Sequence, residues 1–161
     1  MTELANTCAL SRETVERYLF LLEQTYILRL VRPFSRNLRS ELTKTPKIFF
    51  HDTGLMQMLW LKRLQREVLG AVFETSLFGE LVKKHGVENI HYWRTQEKKE
   101  IDFILKTPDD LIPIEVKLNF PRNLSTALHT FAELYQTERI FLVGLNGETG
   151  DKKMIYPWQL L

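Results

Sequence analysis

Glu100-Ile-Asp-Phe-Ile-Leu105, the turn signal Thr107-Pro-Asp-Asp110 and Pro113-Ile-Glu-Val-Lys-Leu118 form the stretch on which the reading of this chain rests. Side chains alternate along a strand, so Glu115 and Lys117 share one face while Ile114, Val116 and Leu118 share the other. Asp102 lies on the preceding strand, and a hairpin through residues 107–110 sets it beside Glu115 at a cross-strand separation of about 5 Å. Carboxylates that close repel unless they share a proton or a cation. Hard oxygen ligands of this kind suit Mg²⁺ or Mn²⁺. Lys117 would then stand beside the metal, able to hold an attacking water and to offset charge on a pentacovalent phosphate. The competing reading is a cluster of surface ion pairs, which contributes little.

Outward from this hairpin the pattern is regular. Residues 89–95 read as a strand that turns through 96–99 into the strand at 100–106, and 111–118 follows as a third. Residues 71–85 read as a helix with Phe73, Leu77, Phe78 and Leu81 on its buried side, a basic last turn and Gly86 as its C-cap. An amphipathic helix at 124–136 leads to an apolar strand at 139–145, closed by Asn146-Gly147. The order is α-β-β-β-α-β.

The first 66 residues have a different character. Helices are expected at 3–10 and 11–26, the second capped by Ser11 and carrying an apolar stripe of Val15, Tyr18, Leu19, Leu22 and Tyr26. Strands at 27–33 and 46–51 follow, separated by a polar, basic stretch. Helix, helix and hairpin in that order make a winged helix-turn-helix, although a full one has a further helix before the pair, which suggests a truncated or partnered chain. A helix at 53–66, with Leu55, Met58, Leu59 and Leu61 on its apolar side, links this unit to the rest, so the domains are expected at 1–66 and 67–161. Lys and Arg outnumber Asp and Glu by 11 to 6 up to Arg66, net +5, and trail them by 11 to 14 beyond it, net −3. A basic segment followed by an acidic one is compatible with phosphate contacts in the first and metal-binding carboxylates in the second. Arg12, Arg17, Arg36 and Arg39 are the candidate DNA-phosphate contacts, diluted by Glu13 and Glu16 on the same helix; a protein-protein use of the fold competes with this.

Composition excludes several classes. With 161 residues, 44% hydrophobic and 26% charged, the chain is an ordinary globular one. Its single cysteine, Cys8, forms no internal disulfide and is expected to be structural within an apolar helix. No zinc spacing, signal peptide or membrane-length apolar run is present, so a cytoplasmic setting without a membrane partner is expected. His51-Asp52 reads as a satisfied turn pair, and His85, His91 and His129 lack a spacing that would make a joint site. Trp60, Trp93 and Trp158 are expected in core or interface, and Glu100 is expected to be solvated.

The ordered set of Asp102 and Glu115-x-Lys117 in an α-β-β-β-α-β frame resembles the PD-(D/E)XK nuclease superfamily over roughly residues 70–145. Position by position, the resemblance implies Asp102 and Glu115 as metal ligands, Lys117 as the catalytic lysine and Glu74, in Phe73-Glu74-Thr75, as the helix carboxylate that completes the site. Ile101 stands where the family motif has proline. A longer resemblance runs through Ser11-x-x-Thr-Val-x-x-Tyr-Leu19, Leu22-Glu23, Thr45-Pro-Lys-Ile-Phe-Phe-x-Asp-x-Gly-Leu55, Phe73-Glu74, Glu100-Ile-Asp102 and Ile114-Glu-Val-Lys117. It looks like the C-terminal region of a prokaryotic AAA+ ATPase family, known as domain of unknown function 4143. That resemblance implies an AAA+ ATPase domain or chain as partner, and leaves a homo-oligomer open. No Gly-x-x-x-x-Gly-Lys-Ser/Thr occurs, so ATP hydrolysis by this chain is not implied. The expected function is a DNA-binding, nuclease-like module acting as a Mg²⁺- or Mn²⁺-dependent deoxyribonuclease. The alternative is a catalytically inactive regulatory or protein-docking module.

Overall fold

The helices that follow Ser11, Asp52 and Ser125 begin where the side chain of that residue accepts from a free N–H group of the first turn. In the computed structural model, which describes residues 2–35 and 45–160, α1 (Thr2–Thr7) is followed by α2 (Arg12–Gln24), capped by Ser11 through a bond from the Thr14 N–H at 3.1 Å. Helix α2 stops short of the expected residue 26 because Tyr26 takes a left-handed φ of 56° and turns the chain into β1 (Leu28–Val31), which pairs antiparallel with β2 (Lys47–Phe50). Asp52 caps α3 (Thr53–Leu61), and Lys62, also left-handed, ends it before the expected 66. Arg36 and Arg39 lie outside the described residues.

Helix α4 (Gly70–His85) ends at Gly86, whose φ of 80° suits glycine, and its last turn carries Lys83, Lys84 and His85. Then come β3 (Ile90–Arg94), β4 (Glu100–Lys106), β5 (Leu111–Asn119), α5 (Thr126–Tyr135) and β6 (Phe141–Asn146). The sheet runs β3-β4-β5-β6 with antiparallel pairing through β5 and parallel pairing of β5 with β6, the latter joined by α5. Three short pieces were not expected: a 3₁₀ turn at Val87–Asn89, β7 (Met154–Ile155), which pairs parallel to β6, and α6 (Pro157–Leu160). Elements of two to four residues are too short to carry a hydrophobic period. The architecture is mixed α/β with two sheets.

One face of the large sheet packs on α4, where Phe73, Leu77, Phe78 and Leu81 meet Phe103, Ile112, Ile114 and Val143. The other face packs on α5, through Ala127, Leu128 and Phe131 against Trp93, Ile104 and Leu142. The first 66 residues reach into this core. Val31 and Phe49 belong to the α4 cluster, and Phe49 stacks on Phe78 with ring centroids 4.7 Å apart. Pro33 bridges Tyr92, and the Phe34 N–H donates to the Tyr92 carbonyl at 2.6 Å, which covers the edge of β3. A smaller cluster of Ala5, Val15, Leu19 and Leu28 holds α1, α2 and β1 together.

Several expected core positions are at the surface. Tyr18 and Tyr26 leave the α2 stripe, with Tyr26 78% exposed, because only Val15 and Leu19 meet the small cluster squarely. Helix α3 buries none of its residues, since it touches only the margins of α4 and β2. Cys8 is exposed rather than structural, because α1 ends at Thr7. Trp93 is fully buried, whereas Trp60 and Trp158 are exposed. Among the described residues no helix is long and apolar enough to cross a membrane.

Candidate functional site

A register shift decides which way Asp102 faces. His91 pairs with Ile104 and Trp93 with Ile101, so Tyr92 alone opposes both Asp102 and Phe103. Ile101 and Ile104 accordingly belong to the α5 side and Phe103 to the α4 side. Strict alternation would have sent Asp102 with Ile104; the extra residue turns it towards α4 and β2. Bulges re-aim side chains in this manner beside functional sites.

There Asp102 meets Lys47, at the start of β2. The Lys47 Nζ lies 2.6 Å from Glu100 Oε1, 3.3 Å from Glu74 Oε1 and 3.4 Å from Asp102 Oδ1, so three carboxylates from α4 and β4 converge on one ammonium. Glu100, expected to be solvated, is thus part of the cluster, and Arg94 also approaches it at 3.5 Å. Tyr92 holds the lysine from below: its ring centroid is 5.6 Å from Nζ, and its hydroxyl donates to the Thr45 carbonyl. Burial pulls the Lys47 pKa down, but the charges of Glu74 and Asp102 and the bond to Glu100 outweigh it and hold the group above the ordinary lysine value. Burial, then the Asp102 carboxylate, raises Glu74 above the ordinary carboxyl range, with Lys47 acting in the opposite sense.

Glu115 serves a different cation. It is buried, and its Oε1 is 3.0 Å from Lys117 Nζ while its Oε2 accepts from the hydroxyl of Ser125, the N-cap of α5. Lys117 is half-exposed on the same face of β5, as alternation requires, with Ile114, Val116 and Leu118 turned to the α4 core. Burial lowers the Lys117 pKa, and the bond to Glu115, then the charges of Glu115, Asp102 and Glu74, raise it above the ordinary value overall. Asp102 and Glu115 are linked through the backbone: the Val116 N–H donates to Asp102 Oδ2 at 2.9 Å. The two carboxylates make their close ion pairs with different lysines, Asp102 with Lys47 and Glu115 with Lys117.

The donors are right in kind for a divalent metal, being hard oxygens. Their arrangement is not. The point on which Glu74, Glu100 and Asp102 converge is filled by an ammonium at hydrogen-bond distances, and among the described residues no three His, Cys, Asp or Glu side chains are grouped to hold a metal ion. The residues as placed fit a lysine rather than Mg²⁺ or Mn²⁺.

Elsewhere, Arg12 and Arg17 are exposed on α2, and Arg12 is already paired with Glu16 at 2.8 Å. His51 sits edge-on to Tyr26, its pKa lowered by burial and then by Arg29. Sequence reasoning missed Lys47 and Ser125 as site residues. Lys47 lies 55 residues before Asp102, and its one signal was period-two spacing from Phe49, which places both on the face of β2 turned to the core. Ser125 was legible only as a helix N-cap.

Comparison with known proteins gives two family matches. Residues 1–67 match a domain of unknown function (DUF8612), and residues 69–160, more than half of the chain, match another (DUF4143). Similar curated proteins are the uncharacterized protein Mb2031c of Mycobacterium bovis and the uncharacterized protein Rv2008c of Mycobacterium tuberculosis, each 26% identical over 146 residues and 88% of this chain. The chain spans only a third (33%) of either relative. No solved structure is significantly similar to it. By the match over its sheet, α4 and α5, and over every carboxylate of the cluster, the chain belongs to the DUF4143 family.

Proposed function

We propose that this chain is a nuclease-like regulatory or protein-docking module of an AAA+ ATPase, and that its carboxylate cluster works as a structural element instead of a hydrolytic one. The observation that carries this is the occupancy of both key carboxylates. Asp102 Oδ1 and Oδ2 are taken by Lys47 and the Val116 N–H, and Glu115 Oε1 and Oε2 by Lys117 and Ser125. A PD-(D/E)XK-like, restriction-endonuclease-like frame is supported by the order of α4, the β3-β4-β5 antiparallel run, α5 and parallel β6, with Glu74, Asp102 and Glu115-x-Lys117 in sequence along it. The winged helix reading of the first unit is supported by two helices followed by a two-stranded antiparallel hairpin, and the division near residue 67 by where the two family matches meet. Docking is supported by Leu55, Met58, Leu59 and Trp60 of α3, all exposed, a contiguous apolar surface of the kind that marks interaction sites. An ATPase partner follows from the family resemblance, and the relatives, of which the chain spans a third, are long enough to hold a further domain.

The second reading is DNA binding with Mg²⁺- or Mn²⁺-dependent phosphodiester hydrolysis. It is favoured by the Glu115–Lys117 pair on β5 and by the electrostatic reach of Asp102 and Glu74 to Lys117. Incubation of supercoiled plasmid with either metal separates the two: the docking reading expects no nicking. Nicking by wild type that disappears in both Asp102→Ala and Lys117→Ala would overturn it. DNA affinity adds a second criterion, since phosphate contacts by Arg12 and Arg17 would weaken steeply with salt.

A further inference from the structure

Helix α3 presents an apolar stripe that ends in positive charge. Leu55, Met58 and Leu59 recur at spacings of three and four and so share one face, where they are 38%, 47% and 52% exposed. Met56, Gln57 and Leu61, on the other sides of the helix, are half-buried. Lys62 ends the helix with a left-handed φ of 58°, and the chain then returns beside it, where the Gln65 N–H donates to Gln57 Oε1 at 2.9 Å. That return keeps Lys62, Arg63 and Arg66 close to the C-terminal end of the helix. All three are exposed, and none is in an ion pair with another described residue. Between Thr53 and Leu69 these three cations face the single acid Glu67, net +2. Ahead of the helix the exposed ring of Tyr26 stands edge-on to His51.

We propose that this face receives an acidic amphipathic helix of a partner protein, whose apolar side chains cover Leu55, Met58 and Leu59 and whose carboxylates meet Lys62, Arg63 and Arg66. The inference rests on the docking reading above and names the partner's chemistry. A partner helix with the same three- and four-residue spacing matches the stripe. Unpaired cations at its end select against a basic partner and favour an acidic one by charge complementarity. The other occupants fit less well. A second copy would set the same positive charge against itself. A nucleic acid would satisfy the cations but lay phosphate and sugar on the leucines and the methionine. A lipid surface binds in proportion to the apolar area it buries, and three side chains supply little of it.

The test is selection on the intact chain from a displayed library of helical peptides of about 15 residues, apolar at spacings of three and four and with Glu, Lys or Ser elsewhere. Affinities of the enriched peptides are then read by fluorescence anisotropy. Enriched peptides should be net acidic, and their Lys-for-Glu counterparts should bind at least about ten-fold more weakly. Met58→Ser combined with Leu59→Ser, and Arg63→Glu combined with Arg66→Glu, should each weaken the acidic peptides by a similar factor. Neither pair should move the thermal midpoint, since all four positions are exposed. Enrichment of neutral or basic peptides, no enrichment at all, or binding unchanged in either pair of substitutions would overturn the proposal. So would binding of wild type to phosphatidylcholine vesicles containing phosphatidylserine, or a wild-type dimer in sedimentation, if Met58→Ser with Leu59→Ser abolished it. Basic peptides held on this same face would leave docking itself standing. Plasmid nicking lost in both Asp102→Ala and Lys117→Ala would instead sink the docking reading, whichever peptides bind.

Discussion

Helices α3 and α4 are close neighbours in the chain and reach opposite environments. Helix α3 is Thr-Gly-Leu-Met-Gln-Met-Leu-Trp-Leu, with apolar side chains on all sides, and buries none of them; α4 is more polar and buries Val72, Phe73, Thr75, Leu77, Phe78 and Leu81. The difference is what lies opposite. Helix α4 has a sheet beneath it and the β1–β2 hairpin beside it, so its stripe is enclosed on two sides. Helix α3 has only the margins of α4 and β2. Apolar content therefore says how much burial would gain, while the neighbouring layer says whether burial happens.

The strongest way to break this contrast is Phe78→Ala. Phe78 is fully buried and touches both Phe49 and Phe103, so the loss should be about 3–5 kcal/mol in chemical denaturation. It should destabilise the first unit as well as the second, because Phe49 loses its stacking partner. Leu19→Ala in the small cluster should cost less, about 2 kcal/mol, and act mainly on α1, α2 and β1. A single transition with equal losses for the two variants would show that the halves are no different in packing. Ser125→Ala removes the cap of α5 and the hydroxyl bonded to Glu115, and should cost about 1 kcal/mol.

Glu74→Gln carries the comparison into pH. The folded-state pKa of Glu74 is raised, so its contribution to stability is fully present below the unfolded carboxyl range and is lost as pH rises through the folded value. The glutamine variant should therefore gain on wild type at neutral pH, and the gain should vanish on acidification. A gain that persists in acid would assign the effect to packing. The smallest effect is expected for Trp60→Ser on α3, within about 0.5 kcal/mol of wild type in thermal melts. A larger loss would mean that α3 is covered after all.

Much of the second half was legible from side-chain periods. The strands at Glu100 and Leu111, the buried side of α4, and the shared face of Glu115 and Lys117 follow from alternation and from the three- and four-residue spacing of Phe73, Leu77, Phe78 and Leu81. These are properties of consecutive residues, which local geometry settles. The first half was less legible. Tyr18 and Tyr26 fit a helical stripe as well as Val15 and Leu19 do, and only the narrowness of the small cluster leaves them outside.

Sequence alone determined the order of the six long elements of the second half, the acid and lysine content of its central hairpin, and the helix ends at Ser11 and Gly86. Tertiary structure decided the rest. A one-residue shift against β3 turned Asp102 towards α4, and the packing of Phe49 brought Lys47 across 55 residues of chain to the same point. Neither could be read from spacing. A bulge depends on how two strands are paired, and a long-range ion pair on which layers the core brings together; both are settled by burial across the fold and not by the local preferences of the residues involved.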